Sequence, residues 1–295
     1  MGRVRRVNPG DFVPPMLAVT QPVPFSRSGW WFETKWDGYR AIVSSGEHYR
    51  VYSRRGHDLL ASYPALQEAA ELLPREIVLD AELVAWVDGR PDFGALQRKA
   101  AQQYLLMVFD CLYAKGRWLM HEPLERRLGL LHDAVRTEGM VVVSDGVSER
   151  GEAYLDAIRR LDLEGVMAKR LDSPYFPGRR SAVWQKFLAL KSQWCWVVAY
   201  HQTSDGSWTW HLAEQSQGRL TNIGKVPAPM TWRALSTGSA QIAEPFPVEV
   251  AFREKTREGH LRHARVRQWP QRLADHSASR SDLVPGSRPH PPGGG

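Results

Sequence analysis

One lysine in the chain has neighbours that could make it a nucleophile. Lys35 lies in the segment 33–40, which reads ETKWDGYR, and the apolar run 30–32 (WWF) precedes it. Burial among apolar side chains disfavours the charged ammonium and lowers the pKa of a lysine, which is how a lysine becomes reactive. The alternative is a lysine at a sheet edge whose stem packs on tryptophan and whose charge reaches water. Taken alone, these residues favour that alternative, because one short motif is only a hypothesis.

Two carboxylates form a second candidate group. Asp80 and Glu82 interrupt the otherwise apolar run 77–86 (IVLDAELVAW). Because they are two residues apart in a predicted strand, their side chains point to the same face and can reach one site. Carboxylates in a buried strand are costly unless they are paired or bind a ligand. The spacing therefore predicts that the carboxylates of Asp80 and Glu82 act at one site.

The elements that would position Lys35 are two strands joined by a tight turn. Asp37-Gly38 between apolar, β-prone runs predicts a hairpin, because glycine tolerates the positive φ that such a turn needs. Lys35 then lies at the end of the first strand, immediately before the turn. Further along the chain, helical spacing of apolar residues and flanking prolines predict helices over 64–73, 93–101, 123–135 and 152–161. Apolar runs predict strands over 77–86, 105–113 and 141–143.

Composition places the chain among globular proteins with a basic excess. It has 295 residues, of which 43% are hydrophobic and 24% charged, and its formal net charge is +7. The length suits two domains of ordinary size. The positive charge suggests a polyanionic partner such as nucleic acid, with an anionic membrane surface as the alternative.

The cysteines and the N-terminus indicate a cytoplasmic protein. The spacing of Cys111 and Cys195 matches no metal motif and makes no disulfide framework. No apolar segment follows the N-terminal arginines, so we predict no signal peptide. No stretch approaches the roughly 18 to 20 apolar residues of a membrane span.

Beyond residue 192 the pattern changes to short alternating strands. They are predicted over 194–201, 207–213, 219–223, 248–254 and 260–267, with a helix over 231–242. Five strands with one inserted helix suit a small closed β-barrel of the OB type, which binds nucleic acid along a basic and aromatic face. Residues 275–295 are rich in Ser, Pro, Gly and Arg and are predicted to be a disordered tail.

The last two predicted strands are cationic. Their basic side chains are Arg253, Lys255, Arg257, Arg262, His263, Arg265 and Arg267. We predict nucleic-acid contacts from Arg253, Lys255, Arg262 and Arg265. The alternative is the solvated face of an ordinary β domain, and charge alone does not separate the two.

The segment around Lys35 resembles the nucleotidyl-lysine motif of ATP-dependent DNA ligases and of their relatives, the RNA ligases and mRNA-capping guanylyltransferases. Further blocks of this family follow in order: SRRG at 53–56, DAE at 80–82, the strand 105–113, EGVMAK at 164–169 and WQKFL at 184–188. The resemblance covers roughly residues 14–270 and is closest to the short bacterial, end-joining type. It implies an α+β fold: an antiparallel-sheet nucleotidyltransferase domain (ATP-grasp-like ligase domain) over 1–191, then an OB-fold β-barrel domain over 192–274.

The resemblance also implies a reaction. Lys35 would attack the α-phosphorus of ATP and form a lysyl-AMP, whose AMP then passes to the 5′-phosphate of a break in double-stranded DNA. The 3′-hydroxyl would attack that phosphate and release AMP. The implied partners are nicked or broken DNA and repair proteins supplied by other chains, and the implied oligomeric state is a monomer.

Site residues follow from the matched blocks. The implied nucleotide-binding residues are Glu33, Arg40, Arg54, Glu82, Phe109, Arg180 and Lys186. Glu33 would hold the edge of adenine and Phe109 its face. Arg40 and Arg54 would contact nucleotide or nick phosphates, and Lys186 the α-phosphate. A divalent ion, Mg²⁺ or Mn²⁺, would lie near the carboxylates of Glu82 and Glu164, since oxygen ligands suit these ions.

One departure from the family pattern bears on activity. The family has a second lysine where this chain has Leu188, and loss of one preorganised cation costs several kcal/mol of transition-state stabilisation. The basic motif expected near residue 265 also lacks its acid. Two alternatives therefore stay open: a nucleic-acid-binding protein on a ligase scaffold that has lost efficient adenylation, and an RNA ligase or capping enzyme.

Overall fold

The fold is that of a computed structural model, which describes residues 9–232, 238–256 and 258–270. The chain divides between Ala189 and Leu190 into two compact units, whereas the sequence placed the boundary after residue 191. Both units consist mostly of strands. No helix within the described ranges has the length and apolar character that a membrane span requires.

The first unit contains twelve named strands and four short α-helices in its described part. The strands are β1 (Leu17–Thr20), β2 (Trp30–Thr34), β3 (Tyr39–Ser45), β4 (Tyr49–Ser53), β5 (Ile77–Val87), β6 (Arg90–Pro91), β7 (Gln103–Ala114), β8 (Arg117–Trp118), β9 (Val141–Val143), β10 (Gly146–Ser148), β11 (Gly165–Arg170) and β12 (Arg180–Leu188). The helices are α1 (Ala69–Leu72), α2 (Phe93–Arg98), α3 (Leu124–Ala134) and α4 (Gly151–Arg160), and a 3₁₀ helix (Pro64–Glu68) precedes α1. The helices predicted over 93–101 and 123–135 are therefore confirmed with shorter bounds, and that over 152–161 begins and ends one residue earlier. The segment predicted as a helix over 64–73 is a 3₁₀ helix followed by the single turn of α1.

Two mixed sheets build the first unit. One has the order β1-β12-β11-β2-β10, and only β1 and β12 run parallel in it. The other has the order β4-β3-β5-β7-β8, with β6 paired to β5 and β9 paired in parallel to β7. Buried aliphatic side chains such as Leu79, Leu83 and Leu106 form the largest core cluster on the second sheet.

The predicted hairpin at Gly38 is wrong, because β2 and β3 belong to different sheets. β2 pairs with β10 and β11, whereas β3 pairs with β4 and β5. Periodicity identified both strands but carries no information about their partners. The segment 35–38 therefore carries the chain from one sheet to the other, and Lys35 lies where the sheets meet.

Gly38 is required for a close approach and not for a positive φ. Its φ is not in the left-handed region. A Cβ at this position would lie 2.0 Å from the carbonyl oxygen of Leu83 on β5. The contact is with backbone, so the strands would have to separate to admit a side chain.

We expect Gly38→Ala to destabilise the protein by about 1–3 kcal/mol, because overpacking forces backbone movement. The measurement is the midpoint of urea unfolding. Gly129→Ala is the matched control: Gly129 lies in α3, and an added Cβ there would have no described neighbour within 4 Å outside its own helix backbone. This change should stabilise the protein by up to about 1 kcal/mol. Equal midpoints for Gly38→Ala and wild type would contradict the close approach.

The second unit contains one large antiparallel sheet. The described strands of this unit are β13 (Lys191–Gln202), β14 (Trp208–Ser216), β15 (Arg219–Pro227), β16 (Ser239–Phe252), β17 (Glu254–Lys255), β18 (Leu261–Arg262) and β19 (Arg265–Gln268). The sheet order is β15-β14-β13-β16-β19, and β17 pairs with β18. Among the described residues no strand pairing closes the sheet between β15 and β19. Its core contains Val197, Trp210, Leu212 and Val248.

Two predictions for this unit need correction. The helix predicted over 231–242 is wrong at its end, because Ser239–Ile242 belong to β16, whose residues 239–241 pair with β13. The strand predicted over 260–267 is divided into β18 and β19 by His263, which has a positive φ of 53°. Residues 233–237, Arg257 and the predicted tail over 275–295 lie outside the described residues.

Candidate functional site

A cavity of about 860 Å³ lies in the first unit, lined by residues of both sheets. Eight of the residues predicted to act on the nucleotide line it: Glu33, Lys35, Arg40, Arg54, Glu82, Phe109, Arg180 and Lys186. Glu164, the remaining predicted site residue of this unit, contacts Lys35. Residues far apart in sequence are thus brought together around one space.

Lys35 is held by β11 and the residue before it, through both its backbone and its side chain. Its amide donates to the carbonyl of Gly165 (2.9 Å), and its ammonium donates to Oε2 of Glu164. The Lys35 side chain is 20% exposed and that of Glu164 is 8% exposed. Nζ therefore reaches the cavity from a largely enclosed ion pair.

The aromatic surroundings predicted for Lys35 are only partly present. Trp30 and Phe32 pack in a separate core cluster with Leu155 of α4. Trp36 does line the cavity, and its indole N–H donates to Oγ of Ser144 (2.9 Å). The direct partner of the ammonium is a carboxylate, so its environment is charged and not simply apolar.

Glu33 and Lys169 form a buried ion pair beside the cavity. Oε1 of Glu33 lies 2.5 Å from Nζ of Lys169, and both side chains are almost fully buried. Oε2 of Glu33 has no hydrogen-bond partner among the described residues. Burial raises the pKa of Glu33 to about 7, against the opposing charge of Lys169. This carboxylate can accept a hydrogen bond from a ligand with little rearrangement.

Lys169 is a further functional candidate that the sequence did not assign. In a strand that included Glu164, Lys169 would lie on the opposite face. Glu164 precedes β11, however, so strand alternation does not relate the two residues. The Lys169 ammonium lies 4.3 Å from the ring centroid of Phe109 and 4.4 Å from that of Trp184. Lys169 is two residues from Met167 on β11, so both side chains lie on the same face of the strand, and both line the cavity. This spacing was the signal in the sequence that could have placed Lys169 beside the site.

The two carboxylates of β5 have different surroundings. Asp80 is fully buried and accepts hydrogen bonds from Arg40 and from the hydroxyl of Tyr175 (2.6 Å). Glu82 lines the cavity and makes no hydrogen bond with another described residue. Burial raises the pKa of Glu82 to about 7, against the opposing charges of Arg40 and Lys35. Of the pair, only Glu82 is open to a ligand.

Arg40 reaches the cavity but is largely committed within the protein. Its Nε and Nη2 bind the carboxylate of Asp80, and Nη2 also donates to the carbonyl of Met16 (3.1 Å). The guanidinium lies 4.8 Å from the ring centroid of Phe109. Only Nη1 makes no hydrogen bond with the described residues, so a phosphate contact from Arg40 stays a prediction that rests on this nitrogen.

Part of the cavity is lined by basic side chains, which we call the basic rim: Arg54, Arg55, His57, Arg180 and Lys186. A turn with Gly56 at φ 82° presents the first three. Burial lowers the pKa of Lys186, and the ammonium of Lys35 lowers it further. Such a concentration of positive charge suits phosphate groups. Arg55 and His57 were not predicted as site residues.

Leu188 is not among the described residues that line the cavity. Leu188 is paired with Gly165 at the end of β12. Lys191 begins β13, in the second unit. The guanidinium of Arg54 makes no hydrogen bond or ion pair with another described residue and acts electrostatically on Lys186. Arg54 and Arg180 therefore supply positive charge beside Lys186.

The carboxylates near Lys35 fit a divalent cation that takes oxygen ligands. Within the described ranges no group of three or more His, Cys, Asp or Glu side chains could enclose a metal by itself. Mg²⁺, however, is usually held by one or two carboxylates together with water and substrate phosphates. Glu82, which accepts no hydrogen bond from another described residue, and Glu164, whose charge acts on Glu82, match that set of ligands.

The cations predicted to bind nucleic acid in the second unit are partly neutralised. Lys255 pairs with Glu214 (3.0 Å), and Arg262 pairs with Glu254 (2.8 Å). Arg265 is exposed on β19. The prediction treated these side chains as one cationic face, and the sequence pattern did not reveal their acidic partners.

Comparisons with known proteins identify relatives over most of the chain. The family model "ATP dependent DNA ligase domain" matches residues 15–187. The multifunctional non-homologous end joining protein LigD of Mycolicibacterium smegmatis is 29% identical over 88% of this chain, which spans 38% of the length of that relative. The crystal structure of the ligase domain of Mycobacterium tuberculosis LigD superimposes with a TM-score of 0.58 at 28% identity, covering 88% of this chain and 95% of that domain. A mycobacterial DNA ligase D in complex with ATP and MES gives the same TM-score and identity, with 88% and 97% covered.

Proposed function

The chain belongs to the ATP-dependent DNA ligase family, and on that premise we propose that it joins breaks in DNA through a covalent lysyl-AMP intermediate. The observation that carries this proposal is the position of Nζ of Lys35. It lies at a cavity of about 860 Å³, against Glu164 and among the basic rim. A nucleophile, a proton acceptor and phosphate-binding cations thus surround a space large enough for a nucleotide.

The geometry suggests how the first step proceeds. The unprotonated amine of Lys35 attacks the α-phosphorus of ATP, a nitrogen–phosphorus bond forms, and pyrophosphate leaves. Glu164 already accepts a hydrogen bond from Nζ, so it is placed to receive the proton. Lys186, with Arg54 and Arg180 nearby, stabilises the charge that develops on the phosphate oxygens.

Adenine recognition is proposed for the enclosed part of the cavity. Oε2 of Glu33, which has no hydrogen-bond partner in the described part of the chain, suits the exocyclic amino group of adenine, which is a donor. Guanine would present a carbonyl oxygen to this carboxylate. Phe109 offers an aromatic surface beside Glu33, and Lys169 fixes the position of both.

A divalent ion would be held by Glu82 and Glu164 together with phosphate oxygens of ATP. When bound, it would neutralise phosphate charge in the transition state. Because protonation of Glu82 competes with metal binding, a pKa of about 7 makes this carboxylate available mainly at neutral and higher pH.

The later steps require DNA, for which the second unit is the proposed platform. We propose that this unit is an OB-fold domain beginning near residue 192 and that Arg253, Lys255, Arg262 and Arg265 contribute DNA contacts. In support, its five-stranded antiparallel sheet has a tryptophan-rich core. The name of the LigD relatives suggests end joining as the repair pathway. We further propose that the chain acts as a monomer in the cytoplasm and that other repair proteins are supplied by separate chains.

A nick-sealing assay tests the function. A duplex with one 5′-phosphorylated nick is incubated with the protein, ATP and either Mg²⁺ or Mn²⁺. We expect an ATP-dependent joined strand and none with GTP, which also separates ligation from capping. No ATP-dependent product with either metal would sink the proposal.

Leu188 favours a second candidate, a nucleic-acid-binding protein that adenylates poorly. The basic rim argues against it, because Arg54 and Arg180 already place positive charge beside Lys186. We expect Arg54→Gln to slow lysyl-AMP formation by about tenfold or more. Leu188→Lys should restore part of that loss in the double variant, since residues 186 and 188 share one face of β12.

The matched comparison is Leu188→Lys in the otherwise unchanged chain. Because the charge is already supplied, this variant should gain less than about threefold in rate, far below the effect of a wholly missing cation. Single-turnover labelling with ATP measures all four proteins. A large gain from Leu188→Lys alone would show that the natural site lacks a cation and would favour the binding-protein alternative.

A further inference from the structure

A second cavity, of about 370 Å³, lies on the second unit. Its described lining includes His201 on β13, His211 on β14 and Lys225 on β15, with Ser239 and Gln241 on β16. The neighbours Tyr200 and Trp210 are buried in the core, so alternation places both histidines on the other face of the sheet. None of these side chains has a part in the reaction proposed above.

The strand register explains why the polar side chains converge. His211 is paired with Ala199 on one side and with Lys225 on the other. His201, two residues from Ala199, is paired with Ser239. The two histidines are therefore diagonal neighbours, and Lys225 lies directly across from His211.

The histidines make one hydrogen bond to each other. Nδ1 of His201 lies 2.9 Å from Nε2 of His211, with ring centroids 5.0 Å apart and ring planes at 71°. One of these facing nitrogens must carry a proton and the other a lone pair. Nε2 of His201 and Nδ1 of His211 are left for a ligand.

The number of protons on the two histidines decides which hydrogen-bond donors and acceptors the pair presents to a ligand. In the neutral pair, whichever ring donates the shared hydrogen bond, one remaining nitrogen is an N–H donor and the other is an acceptor. Addition of one proton preserves the shared bond and makes both remaining nitrogens donors. The protonated pair thus presents two N–H groups and one positive charge, which suits an anion with two acceptor oxygens.

The charges around the pair favour an anion over a metal cation. Burial lowers the pKa of His211, and the charge of Lys225 lowers it further. No carboxylate lines this cavity among the described residues. Asp205, in the turn between β13 and β14, accepts hydrogen bonds from Thr203 and Ser207 within that turn. An anion would relieve the repulsion between Lys225 and a protonated pair, whereas a cation would increase it.

We propose that this cavity, the histidine pocket, binds a backbone phosphate of duplex DNA and takes up one proton when it does so. Further donors to the phosphate are the hydroxyl of Ser239 and the amide of Gln241. The choice of DNA as the source of the phosphate rests on the proposed function. The proton uptake follows from the histidine pair itself.

Linkage makes the proposal measurable. Where the free pair is neutral, uptake of one proton weakens binding by about tenfold for each unit of rising pH. The chain without ATP or metal is titrated with a fluorescent nicked duplex from about pH 5 to about pH 8, the range in which histidine changes charge, at constant ionic strength.

Two variants test the pocket. One is the double variant His201→Gln with His211→Gln, and the other is Lys225→Gln, which keeps the histidine pair. His48→Gln, an exposed histidine of the first unit, is the control.

We expect wild type and His48→Gln to share the steeper pH dependence and the double variant to lose it. Lys225→Gln should bind DNA more weakly at every pH, and its DNA affinity should still fall as the pH rises. Inorganic phosphate should compete with DNA in wild type more than in the double variant. Equal slopes for wild type and the double variant would overturn the proposal. Competition by phosphate together with equal DNA slopes would show a small-anion site and overturn the assignment to DNA.

The outcome is separable from that of the proposed function. Covalent labelling of Lys35 by ATP needs no DNA and is measured on the same protein preparations after ATP and metal are added. Labelled protein with equal DNA slopes refutes only the histidine pocket, and steep DNA slopes in a chain that never labels refute only the ligase mechanism. Urea unfolding midpoints near that of wild type establish that each variant is folded.

Discussion

Replacing Lys35 with alanine should lower ATP-dependent lysyl-AMP formation and nick sealing by more than about a thousandfold, because loss of a covalent nucleophile removes the intermediate itself. The side chain reaches the cavity from a pair with Glu164, and the other lysines of the site have different tasks. Lys169 is committed to Glu33, and Lys186 lies on a different strand. Neither can take the place of Nζ of Lys35. Labelling with ATP and gel analysis of nick joining measure the two effects.

Lys35→Arg is the control that separates the nucleophile from its ion pair. Arginine keeps the positive charge beside Glu164 but stays protonated in proteins, so it does not attack phosphorus. We expect it to be as inactive with ATP as the alanine variant. It should still join a nick whose 5′-phosphate already carries AMP, since that step needs no lysyl-AMP. ATP-dependent joining by Lys35→Arg at a rate near that of wild type would contradict the assigned role.

The largest effect on stability is expected from Asp110→Asn, at about 3–5 kcal/mol, because it leaves a buried guanidinium without its counter-charge. Asp110 on β7 and Arg127 on α3 are both fully buried. Two hydrogen bonds of 2.8 and 2.9 Å join them. Asparagine has nearly the same shape as aspartate, so the change isolates the charge.

Arg127 also holds the chain that follows β11, which makes its pairing important for the site. Its Nη1 donates to the carbonyl oxygens of Glu122 (2.7 Å) and Ser173 (2.9 Å). Phe109 precedes Asp110 on β7, so disorder of this ion pair would reach the cavity wall. Urea unfolding gives the free energy, and the ATP dependence of labelling reports on the cavity.

Asp156→Asn provides the matched control on an exposed pair. Asp156 and Arg159 lie in α4, 2.9 Å apart, with side chains 57% and 48% exposed. Exposed pairs of this kind contribute about 0–1 kcal/mol, so this variant should unfold almost as wild type does. If Asp110→Asn lowers the free energy of unfolding no more than Asp156→Asn does, the structural role of the buried pair is contradicted.

Much of the site was predictable because its residues lie in short blocks with recognisable spacing. Lys35, Glu82 and Lys186 were chosen from such blocks, and the structure places all three at one cavity. Their assignment to roles came from family resemblance and stays a proposal until it is tested. Composition and periodicity alone favoured an unremarkable surface lysine.

The failures come from information that a linear pattern does not contain. Strand periodicity identified β2 and β3 but not their separate sheets, so Gly38 was assigned to a turn instead of a close approach to Leu83. The Glu33–Lys169 pair depends on the register between β2 and β11, which no single strand reveals. The histidine pocket likewise arises from the register of four strands.

The most direct test of the covalent mechanism is the mass of the intact protein after incubation with ATP. Freshly purified chain, shown first to be free of AMP, is mixed with ATP and Mg²⁺, and its modified peptide is then sequenced. We expect one added AMP, on Lys35, and no addition when Lys35 is replaced by arginine. An unmodified wild-type chain with both Mg²⁺ and Mn²⁺, or AMP on Lys169 or Lys186 instead, would contradict it.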